Sequence, residues 1–339
     1  MNRLNLFVIG LYFAAALCSG CNDKPDDGDN KVDVYVAGWE SNAQGIYVAV
    51  LWKNGKPQYL TDGTEMSVAG SVYVSEDDVY VAGFIGNNTA VLWKNGEPQY
   101  LTPDRKYFSS ASSVFVSGND VFVAGHDYDL PILWKNGVGQ NLTDGNFSSN
   151  VTSVFVSCCD VYVAGWKVCS FESNSDATLW KNGVAQNLTD DPDFASQATS
   201  VFVSGCDVYV TGRSYNVEDR SVAKLWKNGV AQNLTEGYAE ANSVFVSGSN
   251  VYVVFNERTS SNASAVAKLW KDGIVQNLTN EPIWSGANSV FVVDNDVYVV
   301  GEEFKSDHWV AKLWKNGVAQ DLTSGMTNAG AHSVYVKIK

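Results

Sequence analysis

Short runs of β-branched and aromatic residues alternate along this chain with clusters of Gly, Asn, Asp and Ser. The segment SVFVSGNDVFVAG (113–125) holds two such runs, and the Gly-Asn pair between them supplies the positive φ that a two-residue hairpin turn requires. A third apolar run ends in LWK, an Asn-Gly turn follows, and a segment of the type VAQNLT reads as the return strand. The pattern predicts a unit of four antiparallel strands: A (SVFV), B (DVYVAG), C (ending LWK) and D (QNLT). Strands A to C are apolar at consecutive positions, as at Val154, Phe155 and Val156, so both faces of each sheet must be covered.

The unit recurs seven times, with its Trp at Trp52, Trp93, Trp134, Trp180, Trp226, Trp270 and Trp314, at spacings of 41, 41, 46, 46, 44 and 44 residues. Four-stranded units of this period, covered on both faces, predict an all-β seven-bladed β-propeller over residues 32–339. The first unit begins with strand B (33–38) and lacks a strand A, whereas the chain finishes on a spare one, SVYV at 333–336. That last strand is expected as the innermost strand of the first blade, closing the ring and removing its open edge. The repeated Trp are read as packing between blades, and the NLT triplets as strand D rather than as glycosylation sites.

Because the strands alternate in direction, the A–B and C–D turns share one rim of the disc and the B–C and D–A connections share the other. The first rim is monotonous, with Lys53, Lys94, Lys135, Lys181, Lys227, Lys271 and Lys315 at its C–D turns, either simply solvated or facing lipid headgroups. The second rim varies, and it carries the rarer residue types. Directly after strand B the copies place Trp39, Phe84, His126, Trp166, Arg213, Asn256 and Glu302, one per blade. Trp284, Trp309, His308 and His332 fall on the same side. A ring of aromatic, cationic and anionic groups on a rigid scaffold suits a polar ligand with flat faces, a glycan or a protein segment. Alternatively, the aromatics seal the end of the propeller; Trp39, for one, continues the face of Tyr35 and Ala37.

Composition narrows the function further. With 37 acidic against 23 basic side chains and a formal charge of −14, the chain repels nucleic-acid phosphates. No GxSxG, HExxH, phosphate loop or EF-hand pattern occurs, and no cofactor or metal site is expected. Acidic runs at Asp127 and Asp129 and at Asp190, Asp191 and Asp193, together with His332 as a base, are the material for a glycan lyase or hydrolase, the alternative to a binding protein. A structural or adhesive scaffold of an envelope complex is the other alternative. Cys159 and Cys206 hold equivalent places in neighbouring units and are expected as a disulfide, Cys158 and Cys169 being the other thiols of the body.

The N-terminus is expected to be removed. Arg3, the 14-residue apolar run 4–17 and the small residues after it form a secretion signal over residues 1–20. Ser19, Gly20 and Cys21 match the end of a bacterial lipobox, with Cys18 where that pattern has Leu, so Cys21 is the expected acylated residue and 22–31 a flexible acidic tether. With the DVYVAG, LWKNG and QNLT repeats, the chain resembles the seven-bladed β-propeller lipoproteins of Bacteroidota, and the acidic tether resembles their surface-export signal. The resemblance implies an outer-membrane lipoprotein on the cell surface that touches the membrane only through its lipid anchor. It implies no particular activity.

Overall fold

A computed structural model of the chain describes residues 31–86, 89–103, 108–168, 174–189, 193–261, 263–279 and 284–339. The expected signal segment, Cys21 and the expected tether up to Asn30 lie outside these residues, as do Cys169, Asp190 and Asp191. The described chain forms seven four-stranded antiparallel sheets, each with strand order A-B-C-D. The fold is the expected seven-bladed β-propeller. In the first blade the C-terminal strand Ala329–Ile338 pairs with Val32–Ser41, followed by Tyr47–Lys53 and Lys56–Tyr59. The Lys339 amide also donates to the Lys31 carbonyl at 2.9 Å, which fastens the two ends of the ring.

Each residue of LWKNG has a physical task. Five of the seven repeated Trp are fully buried, and Trp134 and Trp270 are 3% and 7% exposed. Trp52 packs into the apolar seam with Tyr298, Val300 and Leu313 of the seventh blade, and Trp93 packs against Tyr35, Ala37 and Leu51 of the first. The indole therefore wedges its own blade against the preceding one. The turn Asn adopts positive φ, as in Asn182 (51°), followed by Gly183 (81°). The Asn182 side chain also braces strand B, its Oδ1 accepting from Val161 N at 2.9 Å and its Nδ2 donating to Asp160 at 2.8 Å.

The Lys ring is charge-compensated. Lys94, Lys135, Lys181, Lys227 and Lys315 each meet the strand B Asp of their own blade at 2.7 Å, and Lys53 meets Asp33 at 3.6 Å. In the sixth blade the pair of residue types is exchanged, Asn250 standing for the Asp and Asp272 for the turn Asn, and Lys271 rests over the Tyr252 ring. These pairs leave the rim little net positive field for lipid phosphates. The Cys159–Cys206 bridge is not formed: Cys158, Cys159 and Cys206 are free, exposed thiols, the first two together in the A–B turn of the fourth blade and Cys206 in that of the fifth.

Strand A is longer than its apolar run suggests. It spans nine residues in blades two to seven, as in Ser196–Ser204, and includes the Ser-, Gly- and Asn-rich stretch that composition alone assigns to the D–A connection. A β-bulge, between Ala198 and Ser200 in that strand, interrupts the alternation of faces and hides the continuity. Beyond the bulge, a Ser in every strand A accepts a hydrogen bond from the Val amide of the next blade: Val201 N to Ser153 at 3.2 Å, Val244 N to Ser200 at 3.4 Å, and so around to Val72 N and Ser333 at 3.2 Å. Seven such bonds close a ring that ties the innermost strands together.

Candidate functional site: the mouth of the central channel

The half-buried positions of strand A line the axis. Furthest in, Tyr73, Phe115, Phe155, Phe202, Phe245, Phe291 and Tyr335 form a closed ring of aromatics whose adjacent centroids are 4.7–5.0 Å apart. Sequence periodicity gives these residues as strand, yet only the register shows that they constrict one channel. Burial, with Tyr335 beside it, pushes the Tyr73 hydroxyl up to about 12, so the constriction is uncharged at neutral pH.

One level towards the variable rim, the residues at the bulge reach across to the next blade. Thr152 donates to Ala198 O (3.1 Å), Thr199 to Ala241 O (2.6 Å), Asn242 to Ala287 O (2.8 Å) and Asn288 to Ala331 O (2.9 Å). His332 makes the same kind of bond to the Ala69 backbone, and burial holds its imidazole below the ordinary value and hence neutral. His332 is thus a wall residue of the channel below the mouth. It spends a ring nitrogen on the framework, which does not suit a general base.

The mouth itself is built by the residue after strand B and its cross-strand partner in strand A. These pairs are Trp39 with Gly330, Phe84 with Val68, His126 with Ser110, Trp166 with Asn150, Arg213 with Gln197, Asn256 with Glu240, and Glu302 with Gly286. Cross-strand partners share a face, so all seven residues expected from the sequence are gathered above the channel wall. The ring is divided. Blades one to four supply the aromatic side: Trp39 stacked on Tyr47 (4.0 Å, 24°), Phe84 edge-on to Phe108 (5.9 Å), Phe108 against His126 (5.6 Å), and Trp166. Phe108 is 47% exposed and was not singled out from sequence. Burial also holds His126 below its ordinary value.

Blades five to seven supply the polar side. Arg213 donates to Glu240 (2.9 Å) and to Gln197 (2.8 Å), and Asn256 Oδ1 accepts from Ala287 N (2.8 Å). Glu302 Oε2 accepts from Asn288 Nδ2 at 2.7 Å. Burial pushes the Glu302 carboxyl up to about 7, a rise that the Asn288 bond only partly offsets. Two further residues expected in the site lie off this ring. Trp284, 40% exposed, precedes the seventh strand A and lies under the Arg258 guanidinium (5.6 Å). Trp309 is on strand C of that blade and packs on Phe304 (5.4 Å).

A cleft of about 730 Å³ opens on the opposite rim, between blades three and four, lined by Phe122, Leu133, Lys135, Cys158 and Cys159 among others. It arises where Gly139 takes the place that Pro, Ala or Val fills in the other strands D, and most of its lining repeats in every blade. The mouth, where the blades differ, is therefore the candidate site. Among the described residues no group of three or more His, Cys, Asp and Glu side chains could hold a metal ion, and no helix is long and apolar enough to cross a membrane.

No protein-family profile and no curated protein matches the chain. Similar solved structures are the β-propeller domain of the Trilobed protease from Pyrococcus furiosus (10% identity, 87% of this chain and 93% of that one, TM-score 0.52) and an acylaminoacyl peptidase from Pyrococcus horikoshii (15% identity, 87% and 51%, TM-score 0.50). TolB from Acinetobacter baumannii is a weaker match (12% identity, 91% and 66%, TM-score 0.44). At these identities the likeness is one of fold. The Pyrococcus furiosus domain is described as having an open velcro topology, whereas here the C-terminal strand closes the ring.

Proposed function

We propose that the protein is a cell-surface lipoprotein that binds a glycan or a protein segment at the mouth of its channel. One observation carries the reading: the seven mouth positions, built by an otherwise uniform framework, divide into an aromatic side (Trp39, Phe84, His126, Trp166) and a hydrogen-bonding side (Arg213, Asn256, Glu302). A ligand with one flat apolar face and polar edges, such as a sugar ring or an aromatic side chain flanked by peptide groups, matches both sides at once. A structural plug needs no such division.

The direction of the chain supports a membrane-tethered arrangement. Strand B of the first blade begins at Val32 on the rim of the Lys turns, so the tether leaves from the side opposite the mouth. Ten residues, 22–31, separate Cys21 from that strand, about 33 Å at full extension, and an acylated Cys21 would hang the disc with its mouth outward. Against the lyase or hydrolase alternative stands His332, neutral and bound to a backbone carbonyl.

The test is a glycan and peptide array probed with the purified protein and with Phe84→Ala, Phe108→Ala and Trp309→Ala variants. Binding lost in the first two and kept in the third supports the mouth. Binding lost only with Trp309 moves the site to the outer rim, and binding indifferent to all three refutes the proposal.

A further inference from the structure

The first position of the channel wall is occupied by Val68, Ser110, Asn150, Gln197, Glu240, Gly286 and Gly330 in the seven blades, and glycine occurs there only in the seventh and the first, which are neighbours. Both glycines are notches for a mouth side chain. A Cβ on Gly286 would stand 2.7 Å from Glu302 Oε1, and one on Gly330 would stand 2.9 Å from Trp39 Nε1. Without a side chain beneath them, the Glu302 carboxylate and the Trp39 indole lean over the innermost strand at the channel wall.

The carboxylate is held in place and electrically uncompensated. Its Oε2 is fixed by Asn288 Nδ2, whose amide is itself anchored on Ala331 O of the first blade. Three neighbouring acids on this side of the disc do have cations: Glu240 meets Arg213 at 2.9 Å, Glu303 meets Lys312 at 2.8 Å, and Glu257 is paired with Lys268. Among the described mouth residues Glu302 is the carboxylate without a basic partner. Asn256 Nδ2 lies 3.6 Å from the same notch, with its Oδ1 already committed to Ala287 N. The neighbouring His332 is neutral and offers no compensating charge. A half-buried, oriented carboxylate that lacks a cation is an electrostatic cost in the empty protein, and an arriving cation relieves it.

We propose that the notch between the seventh and first blades binds a protonated primary amine, its ammonium on Glu302 and its carbon skeleton against the Trp39–Tyr47 aromatic pair. The proposal rests on the mouth being the binding site and adds the charge of what it selects. An ammonium fits better than a metal ion, since a single carboxylate is too few ligands for calcium or magnesium. Two sources carry this chemistry, an amino sugar with a free amine and a lysine side chain.

The test is a set of calorimetric titrations with four probes: a glucosamine trimer, its N-acetylated counterpart, the capped tripeptide acetyl-Gly-Lys-Gly-amide, and its Nε-acetylated form. They are run on the unmodified protein and on Glu302→Gln, Phe84→Ala and Asp77→Asn; the last removes one charge from the opposite rim and controls for the overall negative field. The expected result is that at least one free amine binds tenfold or more tightly than its acetylated form. Glu302→Gln should erase that preference without lowering the melting temperature, and Asp77→Asn should retain it. Which amine binds identifies the source. If acetylated and free trimers bind equally and Phe84→Ala weakens both, amine selection is overturned and the mouth survives as the site. If no probe binds, or if no mouth substitution changes any titration, both are overturned.

Discussion

Replacing Glu302 by Gln should make the protein less sensitive to alkaline pH, and the size of the effect follows from the mouth. Burial raises the Glu302 carboxyl from 4.5 to about 7 in the folded protein. Below pH 4.5 the group is protonated whether the chain is folded or not, and it costs nothing. Between 4.5 and 7 the folded state holds the proton more tightly than the unfolded one, so stability falls as the pH rises and the loss is complete above 7. At 1.36 kcal/mol per pH unit the loss is about 3 kcal/mol at most, since water in the mouth screens part of it. For a body of this size, with an unfolding entropy of about 2.1 cal/mol/K per residue, that is about 5 °C in melting temperature. The Gln amide oxygen still accepts from Asn288 and carries no charge, so the variant escapes the loss. His126 and His332 titrate nearby with the opposite sign: burial lowers both, so their contribution is present above 6.5 and is lost as the pH falls. They are common to both proteins and cancel in the difference. Thermal melts of the two proteins from pH 5 to 8 should therefore diverge, with the variant gaining up to about 5 °C relative to wild type between the two ends. A flat difference curve would refute the argument that Glu302 is buried and uncompensated.

Trp180→Ala removes a fully buried wedge from the seam between the third and fourth blades and should cost about 3–5 kcal/mol, read as a fall in the midpoint of urea unfolding. Ser200→Ala leaves the Val244 amide without its inter-blade acceptor, a loss of about 1–3 kcal/mol by the same measurement. Asn182→Ala takes a side chain that braces strand B out of a residue at φ 51° and should lower stability by about 1–2 kcal/mol, whereas Asn182→Gly should recover part of it. Titration of the native protein with a thiol reagent should modify Cys158, Cys159 and Cys206 rapidly, and mass mapping that finds Cys159 joined to Cys206 would contradict the structure.

The framework was legible because its repeated residues are individually conspicuous. An Asn-Gly turn after a Trp fixes the C–D hairpin, and a spare strand A at 333–336 beside an unpartnered strand B at 33–38 fixes the closure. The opening half of strand A was not legible. At Ala198 and Ser200 the bulge changes which face successive residues present, so the period-two signal stops although the ladder continues. Stretches such as Gly286 to Asn288 then read as turn chemistry. That error hid Gln197, Glu240 and Asn288, the partners that hold the polar side of the mouth in position, and it hid Gly286 and Gly330, whose missing side chains shape it. The Cys pair failed for another reason. Equivalence in a repeat places two residues at the same height on adjacent blades, and this is weaker than bringing their Cβ atoms within disulfide reach.

The register also explains how one framework can present seven different mouth residues. Each mouth side chain rises from the second strand over the innermost one, above the bulge-level bonds and the Ser-to-Val ring that join the blades. Its own blade's Trp wedge sits deeper in the seam, so a substitution at the mouth leaves the Trp seams and the Ser-to-Val ring in place, while the Arg213–Glu240 and Asn256–Ala287 bonds do cross from the mouth to the next blade. The constrained positions are those where a mouth residue is coupled by size or charge to a strand A residue of its own blade or the next one. Gln197 and Glu240 must accompany Arg213, and Gly286 must accompany Glu302. Gly286→Ala should therefore act on the mouth alone. It should displace the Glu302 carboxylate from the wall, lower its proton affinity towards the ordinary carboxylate range, and leave the inter-blade seams intact. A direct titration of Glu302 by carboxyl-carbon NMR in the two proteins would check this. An unchanged midpoint in Gly286→Ala would show that the notch does not hold the carboxylate, and the pairing of residue sizes across strands A and B would then be incidental.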